Sequence, residues 1–180
     1  MDRKQQETLL RLARETLRAR LTNAPLPPIP QEADYASTVG GVFVTLKNAG
    51  ELRGCIGQFL PDTGLAETVQ QMALSALCDP RFRRNPVTAE ELDHLDLEIS
   101  ILSPMRRTDD PLSLELGKHG IYIRRGASAG CFLPQVADET GWSKEEFLTH
   151  CCAGKAGMNP DAWKDPDTEV YLFTAEVFGE

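Results

Sequence analysis

Arg53 and Cys55, with Gly54 between them and Gly57 just beyond, are the residues of this chain best equipped for chemistry. A thiolate is a strong nucleophile near neutral pH, and a guanidinium offers a planar fork of donors that suits a carboxylate, a phosphate or a polarised carbonyl. Side chains two apart on a strand share a face, so in a strand over 52–57 Leu52 and Ile56 point one way and Arg53 and Cys55 the other. Glycines leave a strand little to pack, which assigns Gly54 and Gly57 to a bulge or to close backbone approach. The pattern predicts a site for a small anionic or carbonyl ligand. Arg53 binds the ligand, Cys55 is nucleophile or covalent carrier, and Gly54 and Gly57 line the site. A guanidinium beside the sulfur, and the positive end of a helix starting near Gly64, both favour the reactive thiolate; apolar burial favours the inert thiol.

Asp79 and Arg81 follow the helix that leaves this strand. Asp79 can hold Arg53 or Arg81 by a charge-assisted hydrogen bond, or fix its loop by accepting backbone N–H groups. The remaining cysteines are weaker candidates. Cys151 and Cys152 beside His150 resemble a metal cluster only on paper, because neighbours on a helix diverge by about 100° and cannot converge on one ion. They follow Phe147 and Leu148 by four residues and are expected in the core, as is Cys78. No Cys-x-x-Cys pair is present, so no structural zinc site is predicted. His94, His119 and His150 stand in no recognisable catalytic arrangement, and no phosphate-cradling glycine loop or nucleophile elbow occurs. Asp96 and Glu98 lie on the polar side of their strand, where a solvated face competes with a general acid/base role.

The elements that must position these groups follow from periodicity. Leu10, Ala13, Leu17 and Leu21 mark an amphipathic helix over 2–21, and the prolines at 25, 27, 28 and 30 mark an extended linker over 22–33. Alternation at Val42, Val44 and Leu46 predicts a strand, and Asn48-Ala49-Gly50 a turn, so the strand over 52–57 pairs back antiparallel. In that hairpin Cys55 and Arg53 look out with Thr45 and Lys47. Asp62 or Thr63 is the expected cap of a helix carrying Leu65, Val69, Met72 and Ala76. Further strands are expected over 95–101, 121–125, 131–133 and 170–178, the last covered on both faces, with loop over 103–118. Ser143 with Glu146 forms a capping box, and Trp142 with Phe147 a hydrophobic staple, for a helix over 143–157. Paired strands without regular βα alternation give an α+β fold.

The 180 residues suit one domain with one sizeable core. A net charge of −8 disfavours nucleic acid and anionic lipid, although arginines cluster at 81–84, 106–107 and 124–125, leaving RNA binding as the weakest alternative. Five cysteines, an odd number, and no apolar run of membrane-spanning length point to a cytoplasmic protein with free thiols.

Leu52-Arg53-Gly54-Cys55-Ile56-Gly57 is similar to the signature hexapeptide of the AMMECR family. The likeness runs over about 39–178 and takes in Asp79-Pro80-Arg81-Phe82, residues 97–103, Leu133-Pro134-Gln135-Val136-Ala137, Gly141-Trp142, Glu146-Phe147-Leu148 and Phe173-Thr174-Ala175-Glu176-Val177-Phe178. The resemblance implies one domain over 1–180, with an antiparallel sheet flanked by helices, a larger lobe holding both termini, a smaller inserted lobe and a cleft near the signature. It also implies a place in a modification pathway with Memo-like proteins and radical S-adenosylmethionine enzymes, in which the chain is either an enzyme component or a non-catalytic, ligand-binding partner. It supplies no reaction and no cofactor. The residues it carries over are Arg53, Gly54, Cys55, Gly57, Asp79, Arg81 and Gln135; Cys131 and Phe132 depart from its pattern.

Overall fold

A computed structural model describes residues 1–30 and 39–180. The fold is α+β, an antiparallel sheet flanked by helices. The chain forms two compact units, Met1–Ile101 with Glu176–Glu180, and Leu102–Ala175.

In the first unit, helix α1 (Arg3–Thr22) starts at Asp2, which forms a capping box with Gln5, and ends at Asn23 in the left-handed conformation. Leu9, Leu10, Ala13 and Leu17 form its buried face. Residues 24–30 of the proline-rich stretch carry no regular structure; positions 31–33 of the expected linker lie outside the described residues. Strands β1 (Gly41–Asn48) and β2 (Glu51–Phe59) pair antiparallel. Positive φ falls on Ala49 and Gly50, giving the two-residue turn that matches strand twist, while Asn48 is still strand. Helix α2 (Leu65–Leu77) is capped by Gly64 without a side-chain bond, rather than by Asp62 or Thr63; Thr63 instead meets the hydroxyl of Thr68 at 2.9 Å. Strand β3 (Leu95–Leu102) lies beside β1, which leaves β2 at the sheet edge. Val42, Val44, Leu46, Leu97 and Ile99 join the apolar faces of α1 and α2 in one core.

In the second unit, β4 (Arg106–Thr108) and β5 (His119–Arg125) both pair antiparallel with β7 (Glu169–Gly179), whose residues from Glu176 on belong to the first unit, and β6 (Ser128–Phe132) pairs with β5. The segment expected as loop thus contributes a short strand. Helix α3 (Gln135–Thr140) has no side-chain cap and was not foreseen. The Ser143–Glu146 capping box opens α4 (Lys144–His150), but the helix widens into a π-helical turn over Cys151–Lys155 instead of running on regularly. Trp142 stacks on His150 at 4.1 Å, and both Trp142 and Phe147 pack on Phe132. Cys151 and Cys152 are buried in this second core, as expected, and burial pushes both thiols up. Cys78, expected in the core, is exposed at the end of α2. The covering of β7 is uneven: Val170, Leu172 and Phe173 are buried, whereas Val177 is exposed.

Candidate functional site

Cys55 sits in the middle of edge strand β2, directly opposite Thr45. The Thr45 hydroxyl donates to Cys55 Sγ at 3.2 Å, and the thiol is half-buried. An edge strand leaves backbone groups facing away from the sheet that need partners. Here two side chains supply them: Cys55 N–H donates to Asp79 Oδ2 at 3.0 Å, and Arg81 Nη2 donates to Cys55 O at 3.1 Å.

Asp79 and Arg81 in turn hold one another. Arg81 Nε donates to Asp79 Oδ1 at 3.0 Å and Nη2 to Oδ2 at 2.6 Å, while Arg81 N–H caps onto Oδ1 at 3.0 Å. The Asp79 side chain is only 1% exposed, against 52% for Arg81. The Arg81 bond holds the Asp79 carboxyl down at about 2 against the opposing effect of burial, helped by the Cys55 and Arg81 backbone donors. Asp79 therefore does both things its position in the sequence allowed, with Arg81 rather than Arg53 as its ionic partner.

Arg53 has a different place from the one expected. The β1–β2 register pairs Leu46 with Gly54 and Lys47 with Leu52, so Arg53 falls in a bulge and loses its cross-strand neighbour. A bulge re-aims a side chain. The guanidinium is 12% exposed and turns to the 85–91 segment, where Nε donates to Glu91 Oε1 at 2.5 Å, Nη2 to Glu91 Oε2 at 3.0 Å and Nη1 to Asn85 O at 3.2 Å. Asn48 adds a bond to Glu91 Oε1 at 3.0 Å. Arg53 and Asn48 hold the Glu91 carboxyl down at about 2, the Arg53 bond contributing most and burial opposing it. Arg53 and Arg81 both approach the ring of Phe82, at 5.9 and 5.7 Å from its centroid.

The glycines admit protein rather than leaving room for a ligand. A Cβ on Gly54 would lie 2.2 Å from the carbonyl oxygen of Ala76, in the last turn of α2. A Cβ on Gly57 would lie 2.2 Å from the ring of Phe43, its cross-strand partner. The first contact also corrects the expected field at the sulfur: the C-terminal end of α2, not its N-terminal end near Gly64, packs on the strand beside Cys55. Helix α2 runs back along β2, so its positive end lies toward Phe59. Gln135 belongs to the second unit, where it is half-buried at the start of α3.

Arg53, Gly54, Cys55, Gly57, Asp79 and Arg81 are thus assembled within the first unit around one stretch of edge strand. Glu91 completes the assembly and was missed. It lies 38 residues from Arg53, inside an acidic stretch that reads as solvated surface, and no local spacing links the two. Among the described residues no group of three or more His, Cys, Asp or Glu is arranged to hold a metal ion.

The sequence profile of AMMECR1 matches residues 10–178. The chain belongs to the AMMECR1 family. Among its relatives, a protein of Methanopyrus kandleri is 42% identical over 97% of this chain and 87% of its own length. A protein of Thermococcus kodakarensis is 41% identical, covering 97% and 89%. The crystal structure of an uncharacterized protein from Pyrococcus horikoshii matches with a TM-score of 0.90 at 38% identity, covering 100% of this chain and 93% of that one. The AMMECR1 chain shares its fold with that protein, and no helix among its described residues is long and apolar enough to cross a membrane.

Proposed function

We propose that this protein is a cytoplasmic component of a modification pathway that also uses Memo-like proteins and radical S-adenosylmethionine enzymes, and that it meets its ligand or partner through Cys55 and Arg81. The reading is carried by the fixing of Cys55: both backbone polar groups are clamped by the Asp79–Arg81 pair while the thiol stays half-exposed. A side chain held this firmly at a surface is preorganised for recognition, since little ordering remains to be done on binding. Arg81, half in water, is the cation that faces outward; Arg53 is spent on Glu91 and serves as a strut. The partner of the sulfur is a hydroxyl, not a base, which favours binding over nucleophilic turnover.

Co-expression of the tagged protein with its Memo-like and radical-enzyme neighbours tests this. Retention of either one, lost in Cys55→Ala and Arg81→Ala but kept in Lys118→Ala, is the expected result. Absence of any complex at micromolar concentration, or a complex indifferent to both site variants, overturns it. If Cys55 is instead a nucleophile, Cys55→Ser keeps the complex and abolishes genetic complementation.

A further inference from the structure

The Asp79–Arg81 pair opens a turn that carries Arg81, Arg83 and Arg84. Pro80–Phe82 is a single 3-10 turn, and the chain keeps turning after it: Arg83 N–H returns to Pro80 O at 3.4 Å and Asn85 N–H to Phe82 O at 2.9 Å. With three residues per turn, Arg81 and Arg84 stand on the same side. The turn is tied to the signature strand at both ends. At its start Asp79 and Arg81 hold the Cys55 backbone; at its end Arg53 donates to Asn85 O at 3.2 Å and to Pro86 O at 3.4 Å. The strut role of Arg53 thus has an object: it fixes the far end of an arginine-bearing turn.

The charge on this turn is unbalanced. Arg83 and Arg84 are exposed, and neither forms an ion pair among the described residues. The carboxylates that flank the turn are occupied: Asp79 by Arg81, Glu91 by Arg53, and Glu90 by a hydrogen bond with the Thr88 hydroxyl. Counter-charges are plentiful in a chain with 27 acids against 19 Lys and Arg, so the mismatch is local. Guanidiniums set together without matching carboxylates repel one another and work against folding. A cluster kept against that cost, and fixed in advance by the strand beneath it, has the properties of a recognition surface.

We propose that this turn docks an acidic segment of a protein partner, whose carboxylates pair with Arg83 and Arg84 and reach Arg81 beside Cys55. The inference rests on the reading of Cys55 and Arg81 as a meeting surface and adds the chemistry of what they meet. A guanidinium takes a carboxylate through two parallel N–H···O bonds. A short acidic peptide needs only the turn, whereas a nucleic acid must run on over a chain whose net charge is −8.

Fluorescein-labelled hexaglutamate is the probe, followed by fluorescence anisotropy on the full chain. Saturable binding is expected at about 0.01 M salt, weakening as salt rises to about 0.15 M. Arg83→Ala combined with Arg84→Ala should weaken it roughly 10-fold. Arg106→Ala, which removes an exposed arginine of the other unit, should leave it unchanged. In the co-expression assay, Arg83→Glu combined with Arg84→Glu should release the partner that Cys55→Ala also releases. Four results overturn the inference: no saturable binding of hexaglutamate, an equal loss in Arg106→Ala, tighter binding of hexauridylate at the same salt, or a complex lost in Cys55→Ala but kept in the doubly reversed variant. Absence of any co-expressed complex strikes instead the reading on which the inference rests, because hexaglutamate binding is measured without those neighbours.

Discussion

At the scale of single residues, Asp79 joins a buried charge to the backbone of Cys55. Its carboxyl, like that of Glu91, is held at about 2, below the 3.8 and 4.5 of the free groups. Both values are depressed on folding, so the stability each confers is complete above about pH 4.5 and is lost as pH falls through about 2. The two shifts correspond to about 2 kcal/mol for Asp79 and about 3 kcal/mol for Glu91. Acid titration followed by circular dichroism should show this steep loss between pH 4.5 and 2, and it should flatten in Asp79→Asn and in Glu91→Gln. Glu91→Gln strands Arg53, which is 12% exposed, and should cost about 3 kcal/mol at pH 7 in a urea melt. Part of this site was legible in the sequence. The pairing of the thiol with Thr45, and an Asp79 that binds both cation and backbone, follow from strand alternation and the chemistry of aspartate, but the face is less open than alternation suggests, since Thr45 is only 6% exposed and Cys55 half-buried. The direction of Arg53 does not follow, because the register shifts at its position and its partner lies far along the chain.

At the scale of elements, the β1–β2 hairpin and α2 stand or fall on small side chains. Gly54→Ala would press a methyl into the Ala76 carbonyl, so α2 must lift off the sheet. The expected cost is about 3 kcal/mol, measured by chemical denaturation. The opposite sign is expected at the turn, where Ala49 carries a positive φ of 49°. Ala49→Asn installs the preferred Asn-Gly turn and should raise stability by about 0.5 to 1 kcal/mol. Strands β1 and β3 were legible because Val42, Val44, Leu46 and Leu97, Ile99 alternate cleanly. The box at Ser143 and Glu146 fixed the start of α4, but nothing local marks where the helix widens at Cys151. Strand β4 was hidden because Arg106, Arg107 and Thr108 have no apolar rhythm; their pairing with Leu172, Tyr171 and Val170 is a long-range event. The helix cap at Gly64 was hidden because better capping side chains at Asp62 and Thr63 stand just before it.

At the scale of the whole molecule, a net charge of −8 sets the long-range field. Single-stranded RNA should show no salt-dependent retention near 0.15 M salt, where screening acts beyond about 8 Å; retention that falls steeply with added salt would revive a nucleic-acid role. The chain also divides its reporters unevenly. Trp142 and Trp163, the two indoles of the sequence, both belong to the unit Leu102–Ala175, while Cys55, Asp79, Arg81 and Glu91 belong to the other. Tryptophan emission therefore originates only in the unit that does not carry the Leu52–Gly57 hexapeptide. The gap between the emission midpoint and the helix-signal midpoint of Asp79→Asn is consequently a direct gauge of how far the two halves melt as one.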